Sequence, residues 1–301
     1  MRREIVKLAV LALVGLAVFY VLTMPRGLSD DEIAGLPEGD ATRGEAVFWA
    51  GGCSSCHAAA DAEGEDRLLL GGGRVLKTDF GDFTVPNISN DAEDGIGAWS
   101  TGDLANAMMR GVSPDGRHYY PSFPYTSYAR MKPGDIADLR AYLATLPAVA
   151  GRQAGHALGF PFNIRRGLGL WQWAFLSPDP VLDLPDAEPA VARGQYLVEG
   201  PGHCGECHTP RGFAGDTDYA RWLGGAPAAE GDGNVPNITP GDDLGDWSAG
   251  DIAYYLESGF TPDYDSVGGA MVEVQENMAM LPAEDREAIA AYLGVVPAVG
   301  N

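Results

Sequence analysis

The sequence predicts an all-α protein: two tandem copies of one helical domain behind an N-terminal apolar helix. Three observations point there: an internal repeat, helical spacing of apolar residues within each copy, and an uncharged apolar run near the start. Arg43-Gly44 recurs as Arg193-Gly194, and Val85-Pro86-Asn87-Ile88 as Val235-Pro236-Asn237-Ile238. Trp99-Ser100-x-Gly102-Asp103 recurs as Trp247-Ser248-x-Gly250-Asp251, and Ala141-Tyr142-Leu143 as Ala291-Tyr292-Leu293. All matches keep their order at offsets of 148–151, the signature of a duplicated unit.

Taken in order, the chain opens with Arg2, Arg3 and Lys7, followed by seventeen uncharged residues from Leu8 to Met24. That length lies at the short end of what crosses a bilayer. No small-x-small cleavage site follows, so an uncleaved transmembrane anchor over residues 1–26 is expected rather than a signal peptide. Its basic end would be cytoplasmic. Residues 27–39 read as a polar linker, 40–150 as the first domain, 151–186 as an apolar connector and 187–301 as the second domain.

Within each copy, a first helix is expected over Ala41–Ala50 and Ala190–Glu199, ending in Gly shortly before a pair of cysteines. Ser100-x-x-Asp103 and Ser248-x-x-Asp251 read as capped helix starts, with stops at Gly111 and Gly259. Pro133 and Pro282 open the last helices, whose apolar residues (Ile136, Leu139 and Leu143; Ile289 and Leu293) line one face. The Gly- and Pro-rich loops 58–98 and 209–246 are too poor in core to close an interior, so a large apolar ligand is expected to complete it. In the connector, Leu158–Leu176 holds two Trp, three Phe and Arg165-Arg166. It reads either as an amphipathic segment lying on a membrane or partner, or as a strap packed on the domains themselves.

Cys53-Ser54-Ser55-Cys56-His57 and Cys204-Gly205-Glu206-Cys207-His208 carry the chemistry. Cys-x-x-Cys-His attaches a c-type haem: two thiols add to the porphyrin vinyl groups and the adjacent His binds iron. A thiol redox pair needs no such His, and a zinc site would not place its halves 151 residues apart in separate repeats. Cys53, Cys56, Cys204 and Cys207 are all consumed by the motifs, leaving none for a disulfide. Two covalently attached haem c groups are therefore expected, with His57 and His208 as proximal ligands.

The second axial ligand decides whether an iron carries electrons or binds small molecules. In the second domain Met271 follows the flexible Gly268-Gly269-Ala270 and is the expected ligand, ahead of Met278 and Met280 beside the last helix. In the first domain the corresponding loop, Tyr119–Tyr125, has no Met. Met131 is the nearest thioether outside a helix, His118 is an alternative, and an open iron is a third. His156 and His203 read as ordinary surface or loop residues, and Trp99 and Trp247 as packing residues or as donors to a haem propionate.

With 42 Asp plus Glu against 20 Lys plus Arg, the net charge is -22. Such a field repels nucleic acid and favours a basic partner.

With these residues in view, the chain resembles the membrane-anchored multihaem c-type cytochromes that serve periplasmic alcohol, gluconate and sugar dehydrogenases. The likeness spans nearly all of residues 40–295. It rests on Cys-x-x-Cys-His, on Val-Pro-Asn-Ile followed by Trp-Ser-x-Gly-Asp, on Gly116-Arg117-His118-Tyr119-Tyr120-Pro121 and on Gly-Gly-x-Met271. Those cytochromes often carry three haems and a Met inside Tyr-Pro-x-x-Pro-Tyr, where this chain has two haem motifs and Phe123. The resemblance implies two tandem cytochrome c domains on the periplasmic face of a bacterial inner membrane. They would pass single electrons between redox partners (a dehydrogenase, a soluble cytochrome, or a terminal oxidase or reductase) without bond chemistry of their own. A dihaem peroxidase with an open first iron is the alternative from another class.

Overall fold

Each copy is built round a crossing of two helices, and one dipeptide makes both crossings possible. In the computed structural model, which describes residues 1–228, 233–241 and 244–300, helix α3 (Ala41–Ala50) crosses α7 (Pro133–Leu143). In the second half α9 (Pro189–Glu199) crosses α13 (Ala283–Leu293). A Cβ on Gly44 would lie 2.0 Å from the Asp138 carbonyl oxygen, and one on Gly194 1.8 Å from that of Ala288. Only glycine lets the backbones approach this closely. The preceding arginine clamps the contact: Arg43 grips Asp138 through two bonds of 2.7 and 2.8 Å, as Arg193 does Asp285. Behind them sit Phe48, Ile136 and Leu139 in one half and Val198, Ile289 and Tyr292 in the other, all buried.

The capping signals hold. Ser100 and Ser248 form reciprocal capping boxes with Asp103 and Asp251, opening α5 (Thr101–Arg110) and α11 (Ala249–Ser258). Both helices stop at a left-handed glycine, Gly111 with φ 58° and Gly259 with φ 77°. Helices α6 (Tyr125–Tyr128) and α12 (Met271–Met278) precede the last helix of each half, and α4 (Cys53–His57) and α10 (Gly205–His208) carry the cysteine motifs. Helix α1 (Arg2–Leu22) is fully exposed, with mean hydropathy 2.6, and is long and apolar enough to cross a membrane.

Two features differ from the sequence expectation. The chain is largely helical but not all-α. Strands β1 (Val75–Thr78) and β2 (Gly81–Thr84) form a hairpin that β3 (Ala157–Leu158) extends, and β4 (Ala226–Pro227) pairs with β5 (Asn234–Val235). The β1–β2 signal was local, β-branched residues flanking a turn that ends in Gly81, within a segment whose glycines suggested only a loop. Parts of loop 209–246, at 229–232 and 242–243, and residue 301 at the end of the second repeat lie outside the described residues. Residues 27–39 are not a free linker. They contain the capped turn α2 (Asp30–Ala34), and they dock on α5 through Leu28 N–H to Asn106 Oδ1 at 2.6 Å. In the connector, α8 (Leu168–Phe175) is folded onto the body.

Candidate haem-binding sites

The two motif turns present the same arrangement. In the first, Gly52 at φ 55° lets the chain leave α3 and start α4, which winds Cys53, Cys56 and His57 onto one turn. His57 Nδ1 lies 2.8 Å from the Pro86 carbonyl oxygen, and His208 Nδ1 lies 2.9 Å from that of Pro236. A carbonyl only accepts, so Nδ1 carries the proton in both rings and Nε2 is left with its lone pair as the ligand atom. Burial pushes His57 down to about 4 and lowers His208 as well, so both imidazoles are neutral and ready to ligate at neutral pH.

This accounts for the repeated Val-Pro-Asn-Ile, whose role escaped the sequence reading although its repetition marked it. Pro supplies the carbonyl and Asn fixes the loop that carries it. Asn87 Nδ2 donates to Val149 O at 2.7 Å and its Oδ1 accepts from Ser89 N–H at 2.8 Å. Asn237 repeats the pattern with Val299 O at 2.8 Å and Thr239 N–H at 2.9 Å.

The residues fit a covalently held haem better than the rival groups. The four cysteines form no disulfide, and burial pushes Cys53 and Cys204 up to about 12, the opposite of an activated redox thiol. Among the described residues no three His, Cys, Asp or Glu side chains converge as a zinc ion requires. In each half several apolar side chains remain only half-buried although packed on the core: Ile88, Trp99 and Met109 in the first, Ile238, Trp247 and Met271 in the second. A flat apolar group completes such a surface.

The distal candidates are placed very differently. Met271 is the first residue of α12 and half-buried, whereas Met278 is in the core and Met280 is 52% exposed. His118 is buried with its Nε2 2.9 Å from the Thr23 carbonyl, at the end of α1. Met131 is buried where the halves meet, its Cγ 3.8 Å from where a Cβ on Gly200 would stand. Phe123 sits in an aromatic cluster, its ring 5.6 Å from those of Tyr119 and Tyr128. His156 stacks edge-on against Phe83 and Tyr120, and His203 reaches Gly51 O across the junction at 3.3 Å.

The junction follows a pseudo-two-fold pattern centred on the motif turns. Ser54 donates to Asn277 Oδ1 at 2.8 Å, and Asn277 Nδ2 donates to Ser55 Oγ at 2.6 Å. Reciprocally, Ser127 and Thr126 donate to Glu206 Oε1 at 2.7 and 2.9 Å. Asn277 stands one repeat on from Ser127, and Glu206 one repeat on from Ser55. Thus the residues between the two cysteines of each motif bind the helix before the last helix of the other half. Burial drives the Glu206 carboxyl up, but Arg211 and Ser127 together hold it below its ordinary value, so it meets those donors as a carboxylate. Asn277→Leu leaves the buried Ser54 hydroxyl without its acceptor and removes one contact of the Arg67 guanidinium, which also meets Glu276 at 3.9 Å and lies over the Trp49 ring. It is expected to cost about 1–3 kcal/mol in denaturant unfolding, the range for a buried polar group left unpaired.

Comparison with known proteins agrees with this geometry. The cytochrome c family profile matches residues 41–147. A "diheme cytochrome c-type" protein of Cereibacter sphaeroides is 55% identical over 99% of this chain and 100% of its own length. The cytochrome c subunit of a quinone alcohol dehydrogenase from Gluconobacter oxydans is 36% identical over 85% of this chain. The cytochrome subunit of a fructose dehydrogenase from Gluconobacter japonicus is 33% identical, also over 85%. The chain spans 55% and 52% of those two subunits.

Proposed function

The chain belongs to the dihaem c-type cytochromes, and from that premise we propose that it relays single electrons between redox partners at the periplasmic face of a bacterial inner membrane. Two covalently bound haem c groups supply the chemistry, each accepting and releasing one electron. Residues 40–150 and 187–301 form the two haem domains, and α1 anchors them. Cys53 and Cys56 would hold one haem and His57 would ligate its iron. Cys204 and Cys207 would hold the other, with His208 and Met271 as the ligands of its iron. Pro86 and Pro236 keep each imidazole in one tautomer and orientation, so little geometry has to change on reduction. Met131, the sequence's candidate for the first distal position, lies in the junction.

The observation that carries the relay reading is the reciprocal junction, which sets each cysteine-bearing turn against the other half, with His203 beside the second motif reaching Gly51 O beside the first. The acidic surface suits basic partners, and the likeness to dehydrogenase cytochrome subunits supports a dehydrogenase as one redox partner. Sub-stoichiometric pulse reduction of the purified full chain tests the relay. Equilibration between the two haems at a rate independent of protein concentration is expected. Equilibration only by collision between molecules, or sustained peroxide turnover by the reduced protein, would overturn it.

A further inference from the structure

The connector between the halves is anomalous in charge as well as in apolar character. In a chain with 42 acidic residues, no Asp or Glu occurs between Asp138 and Asp179. Within that span, residues 160–173 expose five large apolar side chains: Phe160 at 81%, Phe162, Ile164, Leu170, and Trp173 at 78%. Such a cluster on a folded body marks a contact surface.

The face is built rather than left over. On α8, Trp171 Nε1–H donates to Ala214 O at 2.9 Å and Gln172 Nε2–H to Arg110 O at 3.2 Å, fastening one side of the helix to both halves. Leu170 and Trp173, three residues apart, are thereby held outward on the other. Tyr120 O–H donates to Phe162 O at 2.9 Å, and the Arg165 guanidinium stacks 4.5 Å over the Tyr120 ring, holding the preceding loop.

What covers this face is indicated by its neighbour. Arg166 donates to Thr23 Oγ1 at 2.9 Å and to Tyr20 O at 2.7 Å, and stacks 4.3 Å over the Tyr20 ring. Gly169 lies so close to Thr23 that a Cβ there would stand 2.6 Å from the Thr23 Cα. The exposed aromatics therefore begin where α1 ends, with arginines and a tyrosine at the join, the mixture favoured at headgroup level.

We propose that residues 159–176 are a lipid seat: their apolar side chains enter the headgroup–acyl boundary of the bilayer that α1 crosses, fixing the tilt of the haem domains. The acid-free span lets this face approach anionic lipid that the rest of the surface would repel. The inference rests on α1 being a membrane anchor.

The test uses the full haem-loaded chain in phosphatidylcholine–phosphatidylglycerol vesicles, with an environment-sensitive fluorophore on single cysteines at Val14→Cys, Phe160→Cys or Trp173→Cys. Unchanged haem absorbance confirms that each variant is folded. Quenching is read from lipids with a nitroxide near the headgroup or near the acyl end, and from aqueous iodide, each as a ratio to unquenched vesicles. The labels at 160 and 173 are expected to answer most to the shallow nitroxide, at roughly 5–10 Å depth, and that at 14 to the deep one. Iodide quenching at 160 and 173 with a deep response at 14 overturns the seat and leaves the anchor standing. Iodide quenching at 14 overturns the anchor, and the seat argued from it.

Discussion

Gly194→Ala is expected to destabilise the second half by about 3 kcal/mol, at the upper end of overpacking costs, while Gly250→Ala is expected to stabilise the same half by up to about 1 kcal/mol. Both glycines lie inside helices, so both substitutions reduce the freedom of the unfolded chain alike. They differ in what the new methyl meets. At Gly194 it would stand 1.8 Å from the Ala288 carbonyl oxygen and 2.8 Å from the Tyr292 Cβ, so α9 and α13 must separate. Separation would also break the Arg193–Asp285 clamp and move Tyr292, whose hydroxyl donates to the buried Glu199 at 2.6 Å. At Gly250 the nearest atom is Ser248 Oγ at 3.6 Å, an ordinary contact. Denaturant unfolding followed by haem absorbance separates the cases. Equal stabilities for the two variants would mean that the α9–α13 crossing is not as close as described. Gly44→Ala repeats the test for the first half, where the new methyl would stand 2.0 Å from the Asp138 carbonyl oxygen.

Much of this was legible in the sequence because it is local. The attachment motifs, both capping boxes and the glycine stops are each written within a few residues, and the repeat doubled every signal. The Arg-Gly and Val-Pro-Asn-Ile repeats were visible as patterns, yet their purpose was not. Gly44 matters because of Asp138, and Pro86 because its carbonyl faces His57. Those partners are remote in sequence, and no periodicity marks them. The junction was wholly illegible: Ser54 and Asn277 are 223 residues apart and are ordinary polar residues in their own segments. The residues after Pro25 looked like a tether because they are short and polar, but a capped turn and one bond from Leu28 dock them. The relation of the connector to the end of α1 was equally hidden, since Arg166 meets Tyr20 only in three dimensions.

Met271→Leu is expected to abolish the thioether-to-ferric-iron absorption band of the whole protein and to lower one of its two reduction potentials, leaving the other in place. Leucine matches methionine in volume, so packing at the head of α12 survives while the sulfur is lost. A soft thioether favours Fe(II), and axial ligand identity spreads haem potentials over about 0.8 V, so a fall on the order of 0.1–0.2 V is the expected scale. Met131→Leu, by contrast, should leave the band and both potentials unchanged and cost less than about 1.5 kcal/mol of stability. Its counterpart one repeat on is Leu281, equally buried at 4% against 3% and without a ligating atom. A position filled by leucine in one copy and methionine in the other, and facing Gly200 across the junction, is expected to be a packing position. His118 is held by Thr23, and the Tyr119–Tyr125 loop contains Phe123 and no methionine. If Met131→Leu instead halves the band, Met131 is the first iron's ligand. The ferric spectrum of each variant, with a redox titration followed at the main haem absorption bands, decides between these outcomes.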